Sequence, residues 1–180
     1  MAKDTTPQDL FKAALAATTK AMSAERELEV GFGNEAGDQG DRLVLRPPPI
    51  DLAPEIAARI RGEADAMALR RAHHDPAAHL THRPQGDLAR RVYEGAETAR
   101  IESLGANAML GTAGNLDAAL DHRCKSTNFG AGSEDPEAVL APALEFLLLR
   151  VFRLVGLDIV AGHVGRRQVT DDRADGLAEP

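Results

Sequence analysis

Four histidines, His73, His74, His79 and His82, fall within ten residues of one another. Imidazole is a common ligand for zinc, cobalt and nickel. A metal role is therefore the first chemistry this sequence suggests, with all four as candidate ligands. The spacing matches no standard zinc pattern, and the stretch straddles a helix end and the Asp75-Pro76 break. The plainer account is a polar loop, with His73 and His74 favoured near a helix C-terminus by the macrodipole.

A second group follows on the next helical stretch. Glu94, Glu97 and Glu102 alternate with Arg90, Arg91 and Arg100. Arg90 and Glu94 are four apart, and Glu97 and Arg100 three apart, so both pairs can meet on a helix surface. Di-metal bundles need Glu-x-x-His pairs on facing helices, and no such pair occurs. The charges read as a solvated face or a protein contact. Gly111, Gly114 and Ala118 leave parts of the following helix small enough for another backbone to approach. Together, Arg90, Arg91, Glu94, Glu97, Arg100, Glu102, Gly111 and Gly114 form the candidate partner-binding set.

Other motifs carry less. Gly31, Gly33, Gly37 and Gly40 lead into an extended run rather than a helix, the wrong context for a phosphate loop. Cys124 sits near a helix C-terminus, where the dipole disfavours a thiolate. No Ser/His/Asp or Cys/His constellation is visible.

The elements that must position these residues can be read from periodicity and punctuation. Thr6 and Pro7 open a helix running to Met22, with Leu10, Phe11, Ala14, Leu15 and Thr18 in a stripe. Leu28–Phe32 and Leu43–Leu45 alternate as short strands around a Gly/Asp-rich loop, which predicts a hairpin. Pro47-Pro48-Pro49 stiffens an extended segment. A long helix is expected over Leu52–His74, stopped by Asp75-Pro76. A second spans Gln85–Leu104 with Gly105 as its C-terminal cap, and a third Asn107–Lys125. A glycine-rich loop is expected at Asn128–Ser133. A final helix through about Gly156 is apolar enough to be the central core helix. The fold class is mainly α (α+β): a helical bundle with a small N-terminal β-hairpin. Residues 1–163 are expected to form the domain, and 164–180, polar and without periodicity, to be disordered.

Composition bounds the function. Hydrophobic residues make up 43% of 180, but aromatics only 3%, so the core is aliphatic. The net charge of -7 argues against nucleic-acid binding, which needs a cationic surplus. A single cysteine suits a reducing cytoplasm. The most apolar stretch, Leu144–Val160, is broken by Arg150, Arg153 and Asp158, so no membrane span is expected.

Several segments resemble a known family, the T subunit of aerobic, ATP-dependent cobaltochelatase. They are Leu28–Phe32 with the proline run, Gly62–Arg70 leading to His73-His74-Asp75, and above all Ala89–Tyr93 through Glu97–Ala106 into Gly114-Asn115-Leu116. The resemblance covers most of residues 8–160. It implies a non-catalytic, docking subunit of the complex that inserts cobalt(II) into hydrogenobyrinic acid a,c-diamide during cobalamin synthesis. Its expected partners are the ATPase subunit and the large catalytic subunit in a multimeric ring complex. No cofactor is expected in this chain: ATP and Mg2+ belong to the ATPase subunit, and Co2+ is the substrate of the complex. The alternative is a cobalt-binding or delivery domain using the His73–His82 cluster. The family also implies an acidic linker, of which 164–180 resembles the start, and a C-terminal adhesion-type metal domain, whose Asp-x-Ser-x-Ser motif does not occur here, so a shortened or separately encoded form is expected.

Overall fold

The structure, a computed structural model, describes residues 6–126, 140, 143–144, 146–148 and 150–151. Helix α1 (Pro7–Met22) starts on a reciprocal cap. The Thr6 Oγ accepts from the Asp9 N–H, and the Asp9 carboxylate accepts from the Thr6 N–H at 3.1 Å. Pro7 takes the first helical position, where a missing N–H costs nothing. Leu15 and Thr19 form its buried face, and the Thr19 hydroxyl donates to the Leu15 carbonyl at 2.8 Å.

Three short strands follow, β1 (Glu29–Phe32), β2 (Gly37–Asp38) and β3 (Arg42–Leu45), in the order β1-β3-β2. The two runs expected to pair as a hairpin instead lie parallel, with Val30 opposite Leu43 and Phe32 opposite Leu45. The true hairpin joins β2 to β3, with Gly37 opposite Val44 and Asp38 opposite Leu43. Its turn needs Gly40 at φ 91°, a conformation open to glycine, and the Asp38 carboxylate accepts from the Gly40 N–H at 3.0 Å. The loop between the alternating runs thus folds back as a strand of its own and puts β3 at the centre. That position accounts for the burial of Leu43, Val44 and Leu45 in succession, since a central strand can be covered on both faces.

Helix α2 (Pro54–His73) is the centre of the packing. Its Ile60 and Ala64 join Leu15, Leu28, Leu43 and Leu45 in one aliphatic core between α1 and the sheet. Its Leu69 joins Ile101, Ala106 and Leu116 in a second core, against α4 (Asp87–Ala108) and α5 (Leu110–Ser126). Glycine makes both crossings close. A Cβ on Gly62 would overlap the Asn115 carbonyl oxygen of α5, and one on Gly105 would lie 2.6 Å from Leu69 Cδ2. Gly105 is therefore not the expected cap. The helix continues to Ala108, and Met109, extended at φ -139° and ψ 111°, makes the break.

The final helix expected to run to about Gly156 lies largely outside the described residues; those described between 140 and 151 are helical, with Phe146 and Leu148 packed on the Ala99/Leu120 cluster and Leu147 exposed. Among the described residues the central helix is α2. The loop expected at Asn128–Ser133 and the tail expected at 164–180 lie outside the described residues. No helix among the described residues is long and apolar enough to cross a membrane.

Candidate functional site

The Asp75-Pro76 dipeptide does more than stop α2. Asp75 caps a short helix, α3 (Pro76–Thr81), its carboxylate accepting from the Ala77 and Ala78 N–H groups at 3.0 Å. Pro76 takes the first position. This turn carries His79 back over α4, to the side where His74 caps the end of α2.

Each imidazole then meets a carboxylate of α4. His74 Nδ1 lies 3.0 Å from Glu97 Oε1, and His79 Nε2 lies 3.0 Å from Glu94 Oε1. Glu94 and Glu97 are three apart, so both project from one face of the helix. The two imidazole rings meet edge to face with centroids 4.8 Å apart. Tyr93 stacks on His79 at 4.6 Å, and its hydroxyl donates to the His79 carbonyl at 3.2 Å. Arg100 closes the group, donating from Nε to Glu97 Oε2 and from a terminal nitrogen to Oε1, both at 2.7 Å. The same nitrogen donates to the His73 carbonyl at 2.8 Å, which ties α4 to the end of α2.

The electrostatics follow from these contacts. Hydrogen bonds from Arg100, then His74, hold Glu97 down at about 2 against the opposing effect of burial. Glu94 is lowered chiefly by its bond to His79. Arg100 is raised by Glu97. His73, exposed as a residue, is lowered by partial desolvation of its ring and then by the Arg100 charge. One donor atom from each of His74, His79 and Glu97 lies within 4.8 Å of the other two.

The expected site residues therefore divide. His74 and His79 converge, whereas His73 and His82 are exposed residues outside the cluster, His82 capping the end of α3. The Glu97–Arg100 pair forms. Arg90 turns instead to Asp87, at 3.4 Å, and to the Gln85 carbonyl. Glu94 goes to His79, and Arg91 is an exposed residue of the same helix. Glu102 is 2% exposed beside Arg123, so in this conformation its carboxylate is out of a partner's reach. Gly111 and Gly114 have nothing within 4 Å of where a Cβ would stand, so they face open space rather than another helix of the fold.

A groove of about 680 Å³ between α1 and the start of α5 escaped the sequence reading. Its walls include Ala14, Ala17, Ala21, Met109 and Gly111, and Leu110, between two of them, is 94% exposed. Asp65, also in the lining, is 3% exposed, raised by burial, and accepts from the Asn115 side-chain amide at 2.9 Å. The available signal was Asp65 itself, an acid between Ala64 and Ala68 on the buried side of α2.

These features define a mainly helical domain that carries a histidine–carboxylate cluster at one helix junction and an apolar groove at another. A family model described as cobalamin biosynthesis protein CobT matches residues 5–162, and the chain belongs to that family. Its role therefore lies in cobalamin biosynthesis. No solved structure matches the chain.

Proposed function

We propose that this domain is a non-catalytic, protein-docking part of ATP-dependent cobaltochelatase, the complex that inserts cobalt into the corrin precursor. It docks onto the ATPase subunit or the large catalytic subunit through the groove between α1 and α5. The supporting observation is the groove's surface. Ala14, Ala17 and Ala21 line it at helical spacing along α1, Met109 and Gly111 line it from the start of α5, and Leu110 between those two is 94% exposed. A groove with small side chains along one wall can receive the apolar side of an amphipathic helix, and the partner segment is expected to be one. Exposed apolar surface of this kind is a common mark of a contact site.

The experiment is a pull-down of the chain against the ATPase subunit, with and without ATP, and against the catalytic subunit. Ala17→Glu and Leu110→Asp should abolish capture while leaving the melting temperature near that of the parent, because both positions are exposed. Capture unaffected by either change would move the contact elsewhere. A second reading, receipt and delivery of cobalt, draws on the convergence of His74, His79 and Glu97.

A further inference from the structure

We propose that His74, His79 and Glu97 form a binding site for a divalent first-row transition-metal ion at the junction of α2, α3 and α4. The site stands independently of the docking role, and a delivery role would rest on it.

Geometry comes first. The three donor atoms lie within 4.8 Å of one another, and His74 Nδ1 and Glu97 Oε1 are already 3.0 Å apart. Ligands held at about 2.0–2.1 Å from a tetrahedral ion are roughly 3.4 Å from each other. The set therefore closes on an ion through side-chain movements of about 1 Å, with no change of fold. Three separate elements supply the donors, so the site exists only once α3 has folded back onto α4. Tyr93 stacking fixes the His79 ring, which limits the ordering an ion must impose. The His74 and His79 side chains are 14% and 11% exposed, enough to be reached from solvent.

Donor chemistry selects the class of ion. Two imidazoles and one carboxylate suit zinc, cobalt(II) or nickel, whereas magnesium and calcium prefer oxygen sets. Three protein ligands leave one position of a tetrahedral ion open to water or another ligand. Glu94 holds His79 Nε2, so with Nδ1 as the ligating atom it supplies the carboxylate contact that orients an imidazole ligand and raises its basicity.

The nearby arginines do not remove the charge advantage. Arg100 binds both oxygens of Glu97, so an ion on Oε1 leaves its Nε–Oε2 bond intact. Arg70 and Arg83 reach Glu94 only at 4.0 and 3.9 Å from exposed positions, where solvent screens them. Glu94 and Glu97 thus face one closely held cation.

The test is titration of the untagged chain with cobalt(II) chloride, read by visible absorption, and with zinc chloride against a chromophoric chelator. One ion per chain is expected. His79→Ala and Glu97→Gln should each weaken binding about tenfold or more. His73→Ala and His82→Ala should leave it unchanged. Circular dichroism separates ligand loss from unfolding, and Glu97→Gln keeps the test valid if His79→Ala loosens α3. The inference is overturned by absence of binding. It is overturned equally by binding that survives Glu97→Gln in a folded protein, or by binding that depends on His82. None of these results would bear on the pull-down.

Discussion

Gly62→Ala and Gly114→Ala make the same chemical change in two helix interiors, and the structure requires opposite outcomes. Alanine is intrinsically favoured over glycine by about 1 kcal/mol in a helix. Gly114 has nothing within 4 Å of its would-be Cβ, so that variant should keep most of the gain, about 0.5–1 kcal/mol. At Gly62 the new methyl would overlap the Asn115 carbonyl oxygen, lie 2.6 Å from its carbon and 2.8 Å from Ala119 Cβ. Backbone cannot rotate aside as a side-chain end can, so α2 and α5 must separate by roughly 1 Å along the contact that holds Leu69 and Leu116 in the second core. Overpacking of this kind costs about 1–3 kcal/mol and sometimes more. With backbone as the obstacle we take the upper value, about 3 kcal/mol. Less about 1 kcal/mol of propensity, the net loss is about 2 kcal/mol. For a domain of this size that corresponds to a melting temperature lower by roughly 4–8 °C, against a rise of a few degrees for Gly114→Ala. Thermal unfolding followed by circular dichroism decides it. A Gly62→Ala variant at least as stable as its parent would refute the claim that α2 and α5 meet backbone to backbone there.

Two further predictions concern pH and run in opposite directions. Glu97 is held at about 2, below its ordinary 4.5, so its ionised form stabilises the fold above pH 4.5 and that stability is lost as pH falls toward 2. The contribution is about 1–2 kcal/mol after allowance for solvent screening, and a Glu97→Gln variant should show a flatter loss of stability across that window in acid titrations of melting temperature. Asp65 is raised above 3.8 by burial, so its contribution is present below pH 3.8 and is lost as pH rises through its folded value. Asp65→Asn keeps an oxygen for the Asn115 amide and removes the buried charge. It should therefore stabilise the protein at pH 7 by about 1 kcal/mol or less, an advantage that vanishes in acid; a destabilised variant at pH 7 would show that the nearby Arg61 outweighs burial.

How much of this was legible depended on whether the signal was local. Thr6-Pro7 and the apolar spacing after it announce α1 with its true bounds, because capping and periodicity act within a few residues. Asp75-Pro76 signals a stop in sequence but is also a start, since the acid that ends one helix can cap the next. Gly105 carries a glycine's usual end-of-helix meaning in sequence, yet it is a contact with Leu69, 36 positions away in the chain. The parallel pairing of β1 and β3 was hidden for the same reason: alternation marks a strand, but its direction relative to a neighbour is set by the packing of α1 and α2 around it. At the candidate site, the types of residue and the Glu97–Arg100 spacing were visible. The assignment of His74 to Glu97 and His79 to Glu94 was not, because only the reversal at α3 creates it.

The chain contains one tyrosine and no tryptophan, and Tyr93 lies against His79. The near-ultraviolet emission of the whole protein is therefore dominated by a single vantage point on the α3–α4 contact. A protonated imidazole or a paramagnetic ion beside that phenol quenches it, so events at the cluster can be watched without a label. Far-ultraviolet dichroism, by contrast, averages over every helix. Unfolding curves from the two signals that coincide would mean α3 leaves only when the core does; an earlier loss of the tyrosine signal would make the junction a separate, weaker unit that opens while the rest of the protein stays folded.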